Sequence, residues 1–254
     1  MPVHDWSRLF EDDYRSFRMG WIATIRVAIA ESLLSPSLYA TIEHRPLRWR
    51  THSARRNASE SRKLATQVVG EPSISLCQGY PQTRFRDEVS YSWASLNNHR
   101  IGVYCVEDDR LVACIEILTH EHKARHQTLE ALHNTFQEAL STGCHLLVID
   151  LTPAGPHDPS GMHASFWSRY ANSEHSVTAG EPFGIASYHA TLREDFFVPS
   201  AYYETVAIGQ DLPMMPLFLS PDEYINIPLQ STYDEACAGN PRHWKSVLEA
   251  PKTS

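Results

Sequence analysis

A chain of 254 residues with 42% hydrophobic content is long enough to bury a substantial core, and its composition is neither that of a disordered protein nor of a fibrous one. A formal net charge of -8 argues against a general nucleic-acid coat, which needs concentrated positive charge. No apolar run approaches the roughly 18 to 20 residues that span a bilayer, and the start Met1-Pro2-Val3-His4-Asp5 lacks the basic and apolar regions of a secretory signal, so a cytoplasmic protein is expected.

In chain order, Asp5-Trp6 leads into a helix over 11–34. Phe10, Tyr14, Phe17, Trp21, Ile25, Ala28 and Ile29 line one face of it, and Glu11, Asp12 and Asp13 complement its positive start. Pro36 ends it, and residues 38–43 read as a strand. The stretch 45–63 then carries Arg45, Arg48, Arg50, Arg55, Arg56, Arg62 and Lys63 against the single acid Glu60. Without a sustained apolar period it reads as a mobile basic loop over 45–70, with a phosphate-contacting arm as the functional alternative, which makes nucleic acid a candidate partner. Strands follow at 73–77, 88–93, 100–106 and 111–118, with turns at Asn97-Asn98 and Glu107-Asp108-Asp109.

Residues 111–118, 124–141 and 145–151 form a strand, a helix and a strand. Leu129, Leu132, Phe136 and Leu140 recur at helical steps and Gly143 supplies the stop, so the two strands are predicted to be parallel. Asp158-Pro159 reads as the cap of a helix bearing Met162, Phe166, Trp167 and Tyr170. Strands at 183–191 and 202–208, an extended apolar segment at 212–219, a segment at 226–229 and a helix over 241–249 complete the pattern. The expected fold class is α/β, a mixed sheet with a β-meander and a βαβ crossover. One domain is expected over 1–254, with a core at about 11–151 and a C-terminal α+β extension at about 152–254.

Parallel strands present their C-terminal ends to ligands, so Glu116 and Asp150 are the first candidates for chemistry. Alternation places Glu116 on the face of Val112, Cys114 and Leu118, where a carboxylate must be paired, metal-bound or neutral. Asp150 is read either as a site acid or as a cap for the next loop. Lys123 and Arg125 at a helix start call for an anionic neighbour. His120, His122, His126 and His133 are the rival set: residues 122 and 126 have the helical spacing of a zinc pair, but the glutamate of an HExxH motif is missing. His4 with Asp5 is an acid-base pair or a local cap. The cysteines at 77, 105, 114, 144 and 237 are odd in number and lack a CxxC spacing, so they read as small core residues.

Val3-His4-Asp5-Trp6, the Ile115-Glu116-Ile117-Leu118 strand with Lys123 beyond it, His145-Leu146-Leu147-Val148-Ile149-Asp150-Leu151 and Met215-Pro216-Leu217-Phe218-Leu219 together resemble the bacterial family designated domain of unknown function 4058. The similarity spans nearly the whole chain. Its central segment also resembles the PD-(D/E)XK nuclease fold of the Uma type, which implies a restriction-endonuclease-like core and a magnesium site. On that resemblance Glu43 is the first acid, Glu116 the central glutamate and Lys123 the residue nearest the attacked phosphate. Relatives carry Pro-Asp where this chain has Pro72-Ser73, and a lysine where it has Leu118. Asp108 or Asp109 stands as the substitute ligand. Two functional classes follow: a non-catalytic scaffold or binding module with a degenerate site, and a magnesium-dependent phosphodiester hydrolase with Glu43, Glu116 and Asp109 as ligands.

Overall fold

A computed structural model describes residues 2–43, 99–169, 181–193 and 196–250, and the side chains at 192, 193, 196 and 197 are left aside. The expected strands at 73–77 and 88–93, the turn at 97–98, the basic loop at 45–70, Ser73 and the end of the expected helix at Tyr170 fall outside the described residues. Contacts group the chain into two compact units, 1–48 with 98–254, and 49–97. All described residues belong to the first unit.

After a 3-10 turn at Trp6–Arg8, α1 runs Glu11–Ser32. The Phe10 N–H donates to the Asp13 carboxylate at 3.2 Å, which stabilises a helix start that has no polar cap residue. Strands β1 (Leu38–Glu43), β2 (Arg100–Cys105) and β3 (Leu111–Ile117) form an antiparallel meander. A one-turn helix α2 (His120–Lys123) and a long helix α3 (His126–Ser141) lead to β4 (His145–Asp150), which pairs with β3 in parallel. Helix α4 (Gly161–Trp167) precedes the long antiparallel hairpin β5 (Phe183–Arg193) and β6 (Phe196–Val206). A second hairpin, β7 (Met214–Phe218) and β8 (Tyr224–Pro228), is followed by α5 (Leu229–Ala238) and α6 (Arg242–Glu249).

The main sheet has six strands in the order β1-β2-β3-β4-β5-β6, mixed because only β3 and β4 are parallel. Because successive strand residues point to opposite faces, the alternation of side chains sorts its two layers. Ile101, Val103, Ala113, Ile115, Ile117, Leu147, Ile149, Phe183 and Ile185 share a core with the apolar face of α1, with Leu229 and Tyr233 of α5 and with Met215, Leu217 and Ile227 of β7–β8. Helix α3 packs against β4, β5 and β6, and α4 against β5. Phe136 and Phe166 of those helices meet edge to face at 5.6 Å. Among the described residues no helix is long and apolar enough to cross a membrane.

The C-terminal third adds β5 and β6 to the main sheet, with β5 pairing along β4 from Leu146 to Asp150. Two expectations need correction. The crossover helix does not start at 124: Arg125 takes extended angles, φ -135 and ψ 143, and divides α2 from α3. Asp158 does not cap α4, whose first residue is Gly161. Its carboxylate instead accepts the Gly155 N–H at 2.6 Å and lies fully buried.

Candidate functional site

The C-terminal ends of β3 and β4 lie side by side, with Glu116 opposite Val148 in register and Asp150 closing β4. This is where ligands of parallel strands are expected. The structure fills the place with two ion-pair clusters instead of an open ligand set.

The first cluster surrounds Glu116, which is 2% exposed. Its Oε1 stands 3.1 Å from Arg18 Nη2, and its Oε2 stands 3.3 Å from Arg100 Nε. Arg18 comes from the buried stripe of α1 and also donates to the carbonyls of Ile117 at 2.5 Å and His99 at 2.6 Å, so it stitches α1 to the ends of β2 and β3. Burial pulls the Arg18 pKa below its usual value, and Glu116 offsets this only in part. For Arg100 burial again acts downward, but Glu116, Cys114 and Glu43 together outweigh it and the pKa ends above the usual value. Glu43 ends β1 as the register partner of Arg100, and its charge joins burial in pushing the Tyr104 phenol up.

The second cluster surrounds Lys123, which is also 2% exposed. Its Nζ donates to Asp150 Oδ2 at 2.8 Å and to the carbonyls of Thr152 and Pro153 at 3.0 Å each, and it lies 3.1 Å from Asp158 Oδ2. Asp150 Oδ1 in turn accepts the Thr152 N–H at 3.1 Å and the Thr152 hydroxyl at 2.6 Å. Asp150 therefore caps the loop and pairs with a lysine at once.

Of the residues predicted from the sequence, Glu43 and Glu116 reach the same end of the sheet, while Lys123 pairs with Asp150 and Asp158 and not with Glu116. Asp109 is displaced altogether. It sits in the β2–β3 turn at φ 54, at the other end of β3, where its carboxylate accepts the Tyr39 hydroxyl at 2.8 Å. Asp108 lies in the same turn and caps the Arg110 N–H at 3.1 Å. A strand rises about 3.3 Å per residue, so the run from Leu111 to Glu116 alone separates these acids by well over a coordination distance. The proposed magnesium set of Glu43, Glu116 and Asp109 is therefore not assembled. Among the described residues no three His, Cys, Asp or Glu side chains converge as ligands.

The donor set itself does not suit magnesium. That ion needs several hard anionic or neutral oxygens free to coordinate it, and both oxygens of Glu116 face guanidinium groups.

The zinc alternative fails for a backbone reason. His122 belongs to α2 and His126 to α3, and the extended Arg125 between them breaks the common helix face. His122 Nδ1 accepts the Thr119 N–H at 2.9 Å, and desolvation lowers the imidazole pKa to about 4. His4 does not pair with Asp5: its Nδ1 lies 2.9 Å from the Tyr233 hydroxyl, while Asp5 accepts from Ser7 at 2.5 Å.

Arg18, Arg100 and Asp158 were missed by the sequence reading. Position 18 falls four residues after Tyr14 and three before Trp21, on the buried stripe, and a cation there requires a buried partner. Arg100 carries the same signal at the start of a buried strand. Asp158 beside Pro159 has the appearance of a helix cap and gave no sign of burial. No protein-family model, no curated protein and no solved structure matches the chain.

Proposed function

We propose that this protein is a non-catalytic binding module built on a restriction-endonuclease-like scaffold whose metal site has been replaced by internal ion pairs. The observation that carries the reading is the pairing of Glu116 with two guanidinium groups. The residue at the central glutamate position is held between Arg18 and Arg100 at 3.1 and 3.3 Å. Lys123, which in an active site would meet the phosphate, spends its donors on Asp150, two carbonyls and the contact with Asp158. Ser73 in place of an aspartate agrees with the same loss.

The partner class we assign is nucleic acid, through the basic stretch that begins beyond Glu43. Residues 45–63 carry seven basic side chains and one acid, so a segment of charge +6 is set in a chain whose net charge is -8. Charge segregation of that kind recognises a polyanion through its phosphates and without sequence preference.

The test combines calorimetric titration of magnesium and manganese with a cleavage assay on mixed DNA and RNA. Wild type is compared with Ser73→Asp and Glu116→Gln. The expected outcome is no metal-dependent cleavage and no saturable metal binding in wild type. Metal-dependent cleavage that Glu116→Gln abolishes would replace this reading with that of a magnesium-dependent phosphodiester hydrolase. Nucleic-acid binding is measured by fluorescence anisotropy at two salt concentrations, with Arg45, Arg48, Arg50, Arg55 and Arg56 replaced by Gln as the comparison. Affinity that is unchanged by salt or by that variant would remove the assigned partner.

A further inference from the structure

At the end of β4 remote from Asp150, three rings form a stacked row. His145 and His189 lie 5.1 Å apart at 28°, and His189 and Phe218 lie 4.2 Å apart at 23°. His145 belongs to β4 and His189 to β5, on the sheet face that β7–β8 covers, while Phe218 ends β7 at the tip of that hairpin. Tyr202 of β6 and Tyr224 of β8 flank Phe218 at 5.3 and 5.4 Å. The row is buried, with His145, His189 and Phe218 each below 8% exposure.

One hydrogen bond fixes the protonation that this arrangement needs. His145 Nδ1 accepts the Ala190 N–H at 3.1 Å, so that nitrogen must carry no proton. The pair meets the hairpin tip through the stack of His189 on Phe218.

We propose that the His145–His189 pair is an acid-released latch for the tip of the β7–β8 hairpin. A proton on His145 Nδ1 faces the Ala190 N–H donor to donor and breaks that bond. It also sets a cation beside His189, the ring on which Phe218 of the hairpin tip is stacked.

The groups around the pair oppose its protonation more than they favour it. Burial comes first, followed by His189 and the Arg110 guanidinium of the β2–β3 turn, and together they push the His145 imidazole down to about 4. Burial also lowers His189, against the Pro221 carbonyl and Asp222 of the hairpin turn, which favour its charge. Thr191 of β5, with its hydroxyl 3.2 Å from His189 Nδ1, is neutral, and the flanking Tyr202, Tyr224 and Phe218 rings bring no carboxylate.

In the open state His145 returns to its ordinary value of 6.5, so opening takes up a proton between pH 6.5 and about 4. By linkage the hairpin opens roughly 20-fold more often at pH 5 than at pH 7. Hydrogen exchange corrected for intrinsic rates, read over 214–228 and compared with β2–β3, measures this directly. The expected result is selective loss of protection at the tip in acid, and a His145→Asn variant, whose side-chain oxygen accepts from Ala190 without charging, that keeps it. A magnetic-resonance titration of the wild-type histidines serves if that variant does not fold, and His145 is expected to titrate below pH 5. Equal acid sensitivity in the variant, loss of protection across β2–β3 at the same pH, an unchanged tip, or an ordinary titration of His145 would each overturn the latch.

Discussion

Lys123 Nζ and Asp150 Oδ2 meet at 2.8 Å, both side chains buried, and so tie the helix that leaves β3 to the end of β4. With Asp158 at 3.1 Å, one cation faces two carboxylates away from water. Lys123→Met removes that cation and is expected to destabilise the fold by about 3–5 kcal/mol, because a buried charge left alone costs more than the pair contributes. Lys123→Arg is not expected to restore it, since a planar fork cannot replace an ammonium shared among two carboxylates and two carbonyls. Urea unfolding of the three proteins reads both effects.

Arg18 and Glu116 are coupled in the same sense across the other cluster. Either Arg18→Met or Glu116→Gln alone is expected to cost about 3 kcal/mol or more, while the double variant should cost clearly less than the sum. A double-mutant cycle in denaturant checks this, and additive losses would mean that the 3.1 Å contact contributes nothing of its own.

The Tyr233 hydroxyl is the hub of the N-terminal segment. It accepts the Trp6 indole N–H at 3.0 Å and the His4 N–H at 3.1 Å. Tyr233→Phe leaves both donors without their partner and is expected to cost about 1–3 kcal/mol. Hydrogen exchange should show the loss first over residues 3–9.

His133 gives the stability a pH dependence of known sign. Burial, then Arg169, lowers its imidazole to about 4 against an ordinary value of 6.5. The folded state therefore binds fewer protons than the unfolded state between those values. The associated stability is present above pH 6.5 and is lost as pH falls to about 4. His133→Leu, packed against Phe166 in place of an imidazole 5.6 Å from that ring, is expected to flatten the profile by up to about 1.4 kcal/mol per pH unit in that window. Urea midpoints taken from pH 4 to 7 test it.

The sheet was legible because its strands announce themselves by alternation and by turns. Strand β1 was read at its observed bounds, and β3, β4 and their parallel pairing followed from the periodic helix between them. Helix α5 was not read, although Leu229, Thr232, Tyr233, Ala236 and Cys237 are spaced by threes and fours. It follows β8 with only Pro228 at its start and no polar cap to mark the change of period. In the candidate site, burial of Glu116 was readable from its strand face. Its partners were not, because strand alternation tells which side chains turn inward and leaves open which of them meet. The choice between Lys123 and two arginines depends on how α1 crosses the sheet end, a long-range fact that no local pattern carries.

Glu43 and Arg100 face each other as register partners, although the intervening chain runs from 44 to 99. In topological terms β1 and β2 are hairpin neighbours joined by a long connection. A connection of that length closed as a flexible chain costs about 2–3 kcal/mol more conformational entropy than a tight turn would. A short Asn-Gly connection in place of 44–98, which keeps the His99 carbonyl that Arg18 bonds, should therefore make the remaining sheet fold faster. The basic stretch would be lost with the excised connection, so the chain as it stands carries that stretch at an entropic disadvantage to its own β-meander.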